Sequence, residues 1–94
     1  MWLLTAVAYE FDLDSAYDLF IPNATGGYHK RGISLAAYIL RVHEGYSRYD
    51  ISEILGVTLD YTTELIGYAK KKLKNDDKYR ERYERITYRY YEDN

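Results

Sequence analysis

The chain has no cysteine, so neither a disulfide framework nor a thiolate metal site is open to it. Histidine is almost as scarce. His29 and His43 are the only two, and they do not form a metal-ligand pair. Each is expected at a surface or turn rather than in catalysis. Proline occurs once, as Pro22, inside the one clear loop, where Gly26 and Gly27 follow closely. No membrane-length apolar run is present. The stretch from Met1 to Tyr9 lacks a basic flank and soon meets Glu10, Asp12 and Asp14, far short of a span. A Gly-rich phosphate loop of the Lys-Ser/Thr type is also missing. Glu44, Asp50 and Glu53 could supply carboxylates, but no base–nucleophile pair or metal spacing accompanies them. These absences lead to the expectation of a soluble, cytoplasmic protein that is not an enzyme. It should need no cofactor and no metal, and have no membrane partner.

Ninety-four residues make one small domain with a modest core, spanning 1–94. The formal net charge is -2, which counts against indiscriminate nucleic-acid binding. The distribution is uneven. Residues 1–28 hold Glu10, Asp12, Asp14 and Asp18 and no Lys or Arg, whereas residues 29–74 hold eight Lys/Arg against five Asp/Glu. The central surplus is small, yet it sits where a DNA-binding face would need it.

The periodicity reads as all-helical. Trp2, Leu3, Ala6, Val7, Ala8 and Phe11 form the apolar stripe of a first helix. Asp14 or Ser15 can cap a short second helix over residues 16–20. After the loop at 22–27 and a basic exit at Tyr28, His29, Lys30 and Arg31, an amphipathic helix is predicted over 33–43. Ile33, Ala36, Ala37 and Leu40 would face inward, and Gly45 would end it.

Residues 47–74 then have the layout of a helix-turn-helix. Ser47 can cap a first helix over about 48–55, with Asp50 at the capping-box position and Ile51, Ile54 and Leu55 on one face. Gly56 falls where a helix end needs positive φ, Val57 packs the turn, and a second helix is predicted over about 60–74. A tight turn containing Gly sets two helices at a steep angle, so the second can enter a major groove. Its apolar stripe is Leu65, Ile66, Ala69 and Leu73. Asn75, Asp76 and Asp77 form a cap cluster before a last helix over about 77–91. Tyr79, Tyr83, Ile86 and Tyr90 lie on one stripe of that helix.

Thirteen tyrosines can stack on nucleic-acid bases, but their helical spacing in the last helix favours packing at an interface, with the hydroxyl in water. The mixture of Arg80, Glu81, Arg82, Glu84 and Arg85 reads as a solvated face with local ion pairs. Lys70, Lys71, Lys72 and Lys74 complement the negative end of a helix dipole, and one or two of them could reach phosphate.

This order of elements resembles the C-terminal DNA-binding domain of the bacterial replication initiator DnaA, of the Trp-repressor-like helical class, over roughly residues 3–87. Val7-Ala8 with Phe11, Leu13 and Asp18-Leu19 resembles the family's opening helix and acidic-leucine turn. Lys30 and Arg31 fall in its basic loop, and residues 34–41 resemble its central helix. Ser47, Asp50, Ile51, Leu55 and Gly56 match its Ser-x-x-Glu-Ile…Phe-Gly segment. Asp60-Tyr-Thr-Thr63 resembles the Asp-His-Ser/Thr-Thr signature that opens the recognition helix. The resemblance implies base or phosphate contacts from Asp60, Thr62 and Thr63, with Tyr61 replacing His. It implies phosphate contacts from Ser34 and Arg41, and a minor-groove approach by Lys30 or Arg31. The sequence departs from the pattern at Leu59, where the family has Arg, and at Glu64, where it has Val. The turn is one residue longer and the basic loop is thin, so the family's own origin site is not the expected target. The initiator's ATPase part is not in this sequence.

Two functions follow as expectations. The leading one is a stand-alone double-stranded DNA-binding protein, a regulator of replication or transcription of the kind carried by a phage or mobile element. Lys30, Arg31, Arg41, Arg48 and Lys70 would position the helix on phosphates while residues 58–63, beginning at Thr58, read bases. About four or five such contacts give a log–log salt slope near about -4. The alternative is a protein-interaction module of the same fold that has lost DNA and binds a replication factor, favoured by the acidic balance, Leu59 and Glu64. The oligomeric state stays open at this level.

Overall fold

Every regular element among the described residues, which are 3–13, 15–20 and 29–92 of a computed structural model, is helical. Trp2, Asp14, the loop at 22–27 and Tyr28 lie outside the described residues, as do the side chains of Asp18 and His29. Helix α1 spans Leu3–Glu10, and a short 3₁₀ helix covers Ala16–Phe20. Then come α2 (His29–Val42), α3 (Arg48–Leu55), α4 (Leu59–Asn75) and α5 (Asp77–Thr87), the last running into a π-helical turn at Tyr88–Glu92. Among the described residues no helix is long and apolar enough to cross a membrane.

Helix α2 is the centre of the core and packs on α1, α3 and α4. Its expected inward stripe of Ile33, Ala36, Ala37 and Leu40 is buried, and so are Ser34, Leu35 and Ile39. A helix apolar on so much of its circumference belongs inside rather than on a surface. It also starts four residues earlier than the periodicity predicts, because Gly32 is packed inside it. A side chain at Gly32 would meet Leu19 Cδ2 at 2.8 Å and Phe11 Cε2 at 3.7 Å, so the bare backbone seats the 3₁₀ helix and the end of α1.

Gly45 follows α2 and Gly56 ends α3, at φ 76° and 68°, in the left-handed region that side chains disfavour. At Gly56 the chain closes as a C-cap, with Val57 N–H donating to Ser52 O at 3.0 Å. Ser47 caps α3 by accepting from Asp50 N–H at 3.1 Å. The buried face of α3 is Ile51, Ser52 and Leu55 rather than the predicted Ile51, Ile54 and Leu55, and Ile54 faces out. In α4, Leu65, Ile66 and Ala69 are buried and Leu73 is half-buried, as its stripe predicts.

Helix α5 joins the chain's two ends. Asp76 caps it, accepting from Tyr79 N–H at 3.1 Å, and Tyr79 and Ile86 are fully buried. The outer arginines are not merely a solvated face. Arg82 donates to Glu10 O at 3.1 Å and lies 4.4 Å over the Phe11 ring, Arg85 pairs with the Glu10 carboxylate, and Arg89 lies 4.2 Å over Tyr9. These contacts fasten α5 to α1, and Glu10 is paired rather than displayed. The π-helical turn folds back on the end of α2. Tyr91 stacks on His43 at 5.2 Å and donates to Glu44 at 2.8 Å, while His43 Nε2 bonds Tyr83 at 2.6 Å.

Candidate nucleic-acid interface

Gly56, Val57 and Thr58 carry the chain from α3 into α4. Thr58 has extended backbone (φ −71°, ψ 159°), and its hydroxyl accepts from Tyr61 N–H at 3.1 Å, which fixes the start of α4 at Leu59. The first turn presents Leu59, Asp60 and Thr63 outward. Asp60 also suits the positive end of the helix dipole.

The predicted contacts separate into two groups. Arg41, Arg48, Thr63 and Lys70 come together, lining a groove of about 320 Å³ with Ile66 and Gly67. Arg41 Nη1 donates to Tyr46 O at 3.3 Å, and Arg48 Nη1 to Thr63 Oγ1 at 3.3 Å. Among the described residues none of Arg41, Arg48 and Lys70 is in an ion pair, so three cations stand over one groove with their charge uncompensated. Gly67 forms part of its wall, and a methyl there would find no atom within 4 Å.

Thr62, Ser34 and Arg31 do not join this group. Thr62 is fully buried and its hydroxyl donates to Thr58 O at 3.0 Å, so the inward turn of α4 removes it from any base edge. Ser34 is fully buried as well. Its hydroxyl donates to Arg31 O at 2.9 Å and therefore accepts from Tyr79 O–H at 2.7 Å. Arg31 is half-buried against Asp76 at 3.1 Å. Asp76 is held below the usual carboxylate range by the Tyr79 N–H, with Arg31 adding to the effect. Tyr61 is half-buried against the core, and Thr58 serves as a cap.

Lys30 lies on the other flank of α4. Its ammonium pairs with Glu64 at 2.8 Å and sits 5.0 Å from the centre of the Tyr68 ring, which Lys72 approaches at 5.6 Å. Bonding to Glu64 raises the Lys30 pKa. Thr63, Gly67 and Lys70 share one side of α4 and Tyr68 and Lys72 another, about 140° away at 3.6 residues per turn. Between them runs an outer ridge of Asp60, Glu64 and Lys71.

Three features of this surface are only weakly signalled in the sequence. Gly67 stands inside a 17-residue helix where nothing crowds it, and a glycine interrupting a helical pattern was the available signal. Lys72 reads in sequence as a dipole or phosphate lysine, and Tyr68 four residues before it is the signal for a cation–ring pair. Tyr46, Tyr49 and Leu59 are 41%, 63% and 48% exposed. Tyr49 and Leu59 line a neighbouring groove of about 400 Å³ with Arg41, Gly45, Ser47 and Arg48.

A separate groove of about 440 Å³ on α5 is lined by Glu84, Arg85, Tyr88 and Arg89. Its arginines already face Glu10 and Tyr9, so it offers little free charge. Among the described residues no group of three or more His, Asp or Glu side chains could hold a metal ion. Comparison with protein-family models, with curated proteins and with solved structures gives no match to this chain.

Proposed function

We propose that this protein binds double-stranded DNA by seating α4 in the major groove, with α3, the turn at Gly56 and α4 acting as a helix-turn-helix. The observation that carries the proposal is the placement of cations on both flanks of one helix. Arg41, Arg48 and Lys70 stand on one side and Lys30 and Lys72 on the other. A helix lying in a major groove about 12 Å wide meets a phosphate strand on each side, which is the charge pattern this arrangement fits. Phosphates would engage the two banks, while Leu59, Asp60 and Thr63 face base edges. A carboxylate accepts from cytosine N4, and Leu59 and the Thr63 methyl suit the thymine methyl.

The resemblance to the DnaA DNA-binding domain supports the same reading. The role that fits it is a small regulator of replication or transcription. Fluorescence anisotropy with labelled random duplex, at about 50 and about 200 mM salt, tests the proposal. Four free phosphate contacts, from Arg41, Arg48, Lys70 and Lys72, give a log–log slope of about −3.6, a weakening of roughly 150-fold over that range. Arg48→Gln and Arg41→Gln should each reduce the slope by about 0.9, and Arg31→Gln should leave it unchanged. Equal slopes for all three variants would remove α4 and its banks from the interface.

A second reading rests on Tyr46, Tyr49 and Leu59. Exposed aromatics beside Arg41 and Arg48 have the composition of a protein-binding hot spot. A replication factor presenting acidic and apolar side chains is the partner that fits this surface. Tyr49→Ala would then abolish partner capture, whereas duplex binding under the first reading should survive it.

A further inference from the structure

The two banks of α4 are not equivalent. Arg41, Arg48 and Lys70 are outside any ion pair among the described residues, whereas Lys30 has a carboxylate of its own on α4. We infer that Glu64 is an internal counter-ion for Lys30 that a DNA phosphate must displace, so Lys30 engages only by ion exchange while Lys72 on the same bank is free to bind directly. This rests on the reading of α4 as the DNA-binding helix.

Three observations carry the inference. The pair is open to solvent, with side chains 40% and 57% exposed, so it can be exchanged without opening the core. Exposed pairs of this kind are weak, and a phosphate diester can compete for the ammonium. The Tyr68 ring keeps Lys30 in place when the carboxylate leaves, because the ammonium is already 5.0 Å from its centre. Glu64 also projects from the same ridge as Asp60, one turn further along α4. A carboxylate there faces any strand that approaches this side.

Exchange has a signature distinct from simple attraction. The Lys30–Glu64 pair brings no net charge to the strand, so it displaces few of the counter-ions condensed on DNA and contributes little to the wild-type salt slope. Removing the carboxylate converts it into an ordinary phosphate contact. Glu64→Gln should therefore steepen the slope by about 0.9 and tighten binding about two- to five-fold at low salt. In a Lys30→Gln background the same Glu64 substitution should give a clearly smaller gain, since only repulsion of the strand is then relieved.

The experiment is a salt series of anisotropy titrations with labelled random duplex, using wild type, Glu64→Gln, Lys30→Gln and the double variant. Melting curves confirm that each is folded. The inference is overturned by an unchanged slope in Glu64→Gln. It is equally overturned by a gain that is undiminished in the Lys30→Gln background, which would assign Glu64 to plain repulsion. A wild-type protein whose duplex binding is absent or insensitive to salt overturns the DNA reading itself, and the exchange with it.

Discussion

The buried Ser34–Tyr79 pair gives an asymmetric prediction. Ser34 has one hydroxyl proton, and it goes to Arg31 O at 2.9 Å. Tyr79, fully buried, must then donate its own proton to Ser34 Oγ across 2.7 Å. Burial pushes the Tyr79 pKa well above its ordinary value, so the phenol is neutral and a donor throughout the accessible range. Tyr79→Phe removes that donor and leaves Ser34 still bonded to Arg31, at a cost of about 1 kcal/mol. Ser34→Ala instead leaves a buried phenol with no acceptor, at a cost of about 1–3 kcal/mol. Adding Tyr79→Phe to Ser34→Ala removes the orphaned group, so the double variant should be no less stable than Ser34→Ala alone. Thermal melts followed by circular dichroism resolve this, since about 1 kcal/mol shifts the Tm of a domain this size by about 4–8 °C. Strict additivity, or a Ser34→Ala variant more stable than Tyr79→Phe, would refute the hydrogen-bond assignment. DNA affinity should follow neither change.

Gly67→Ala should raise stability by about 1 kcal/mol, because Ala is the better helix former and nothing lies within 4 Å of the added methyl. The same variant should bind duplex less tightly if a phosphate backbone rests against that groove, so melting and anisotropy should move in opposite directions. Thr63→Ala should change sequence preference in a selection from random duplexes, whereas Thr62→Ala should lower the melting temperature and leave preference intact. Identical effects from the two threonines would contradict the rotation of α4 described above. Asp76 has a pKa below its ordinary value. It binds protons less readily folded than unfolded, so its contribution is complete above the unfolded pKa and is lost as pH falls through the folded one. The wild-type Tm should therefore decline below about pH 4, with a smaller decline in Asp76→Asn, which keeps a capping oxygen.

Much of the helical framework is legible in the residues themselves. Ser47, Gly56 and the Leu65, Ile66, Ala69 stripe are local signals, and they set α3, the turn and α4 to within a residue or two. What local periodicity misses is tertiary. Gly32 reads as a reason not to begin a helix, yet its empty side-chain position is what admits Leu19. The stripe at Ile33, Ala36, Ala37 and Leu40 reads as one inward face because nothing in spacing alone places α1, α3 and α4 around it. Arg82 and Arg85 look like partners for neighbouring glutamates, and spacing alone does not show that both reach Glu10, more than 70 residues away.

The candidate site divides along the same line. Arg41, Arg48, Thr63 and Lys70 follow from charge, a helix start and helical spacing. Thr62 and Ser34 do not, since a signature in sequence fixes position along a helix but not the angle it presents. A single residue step of roughly 100° separates Thr62, bonded inward to Thr58, from Thr63 on the groove wall. Lys30 and Arg31 similarly count as free cations in a charge tally, and pair with Glu64 and Asp76 once the chain folds.

The most direct test of the account is amide chemical-shift mapping on ¹⁵N-labelled protein as a short random duplex is added at low salt. Shifts should concentrate at Lys30, Arg41, Arg48 and the α4 positions Leu59, Asp60, Thr63, Gly67, Lys70 and Lys72, with α5 and the π-helical turn unmoved. Shifts confined to α5, or no shifts at all, would contradict it.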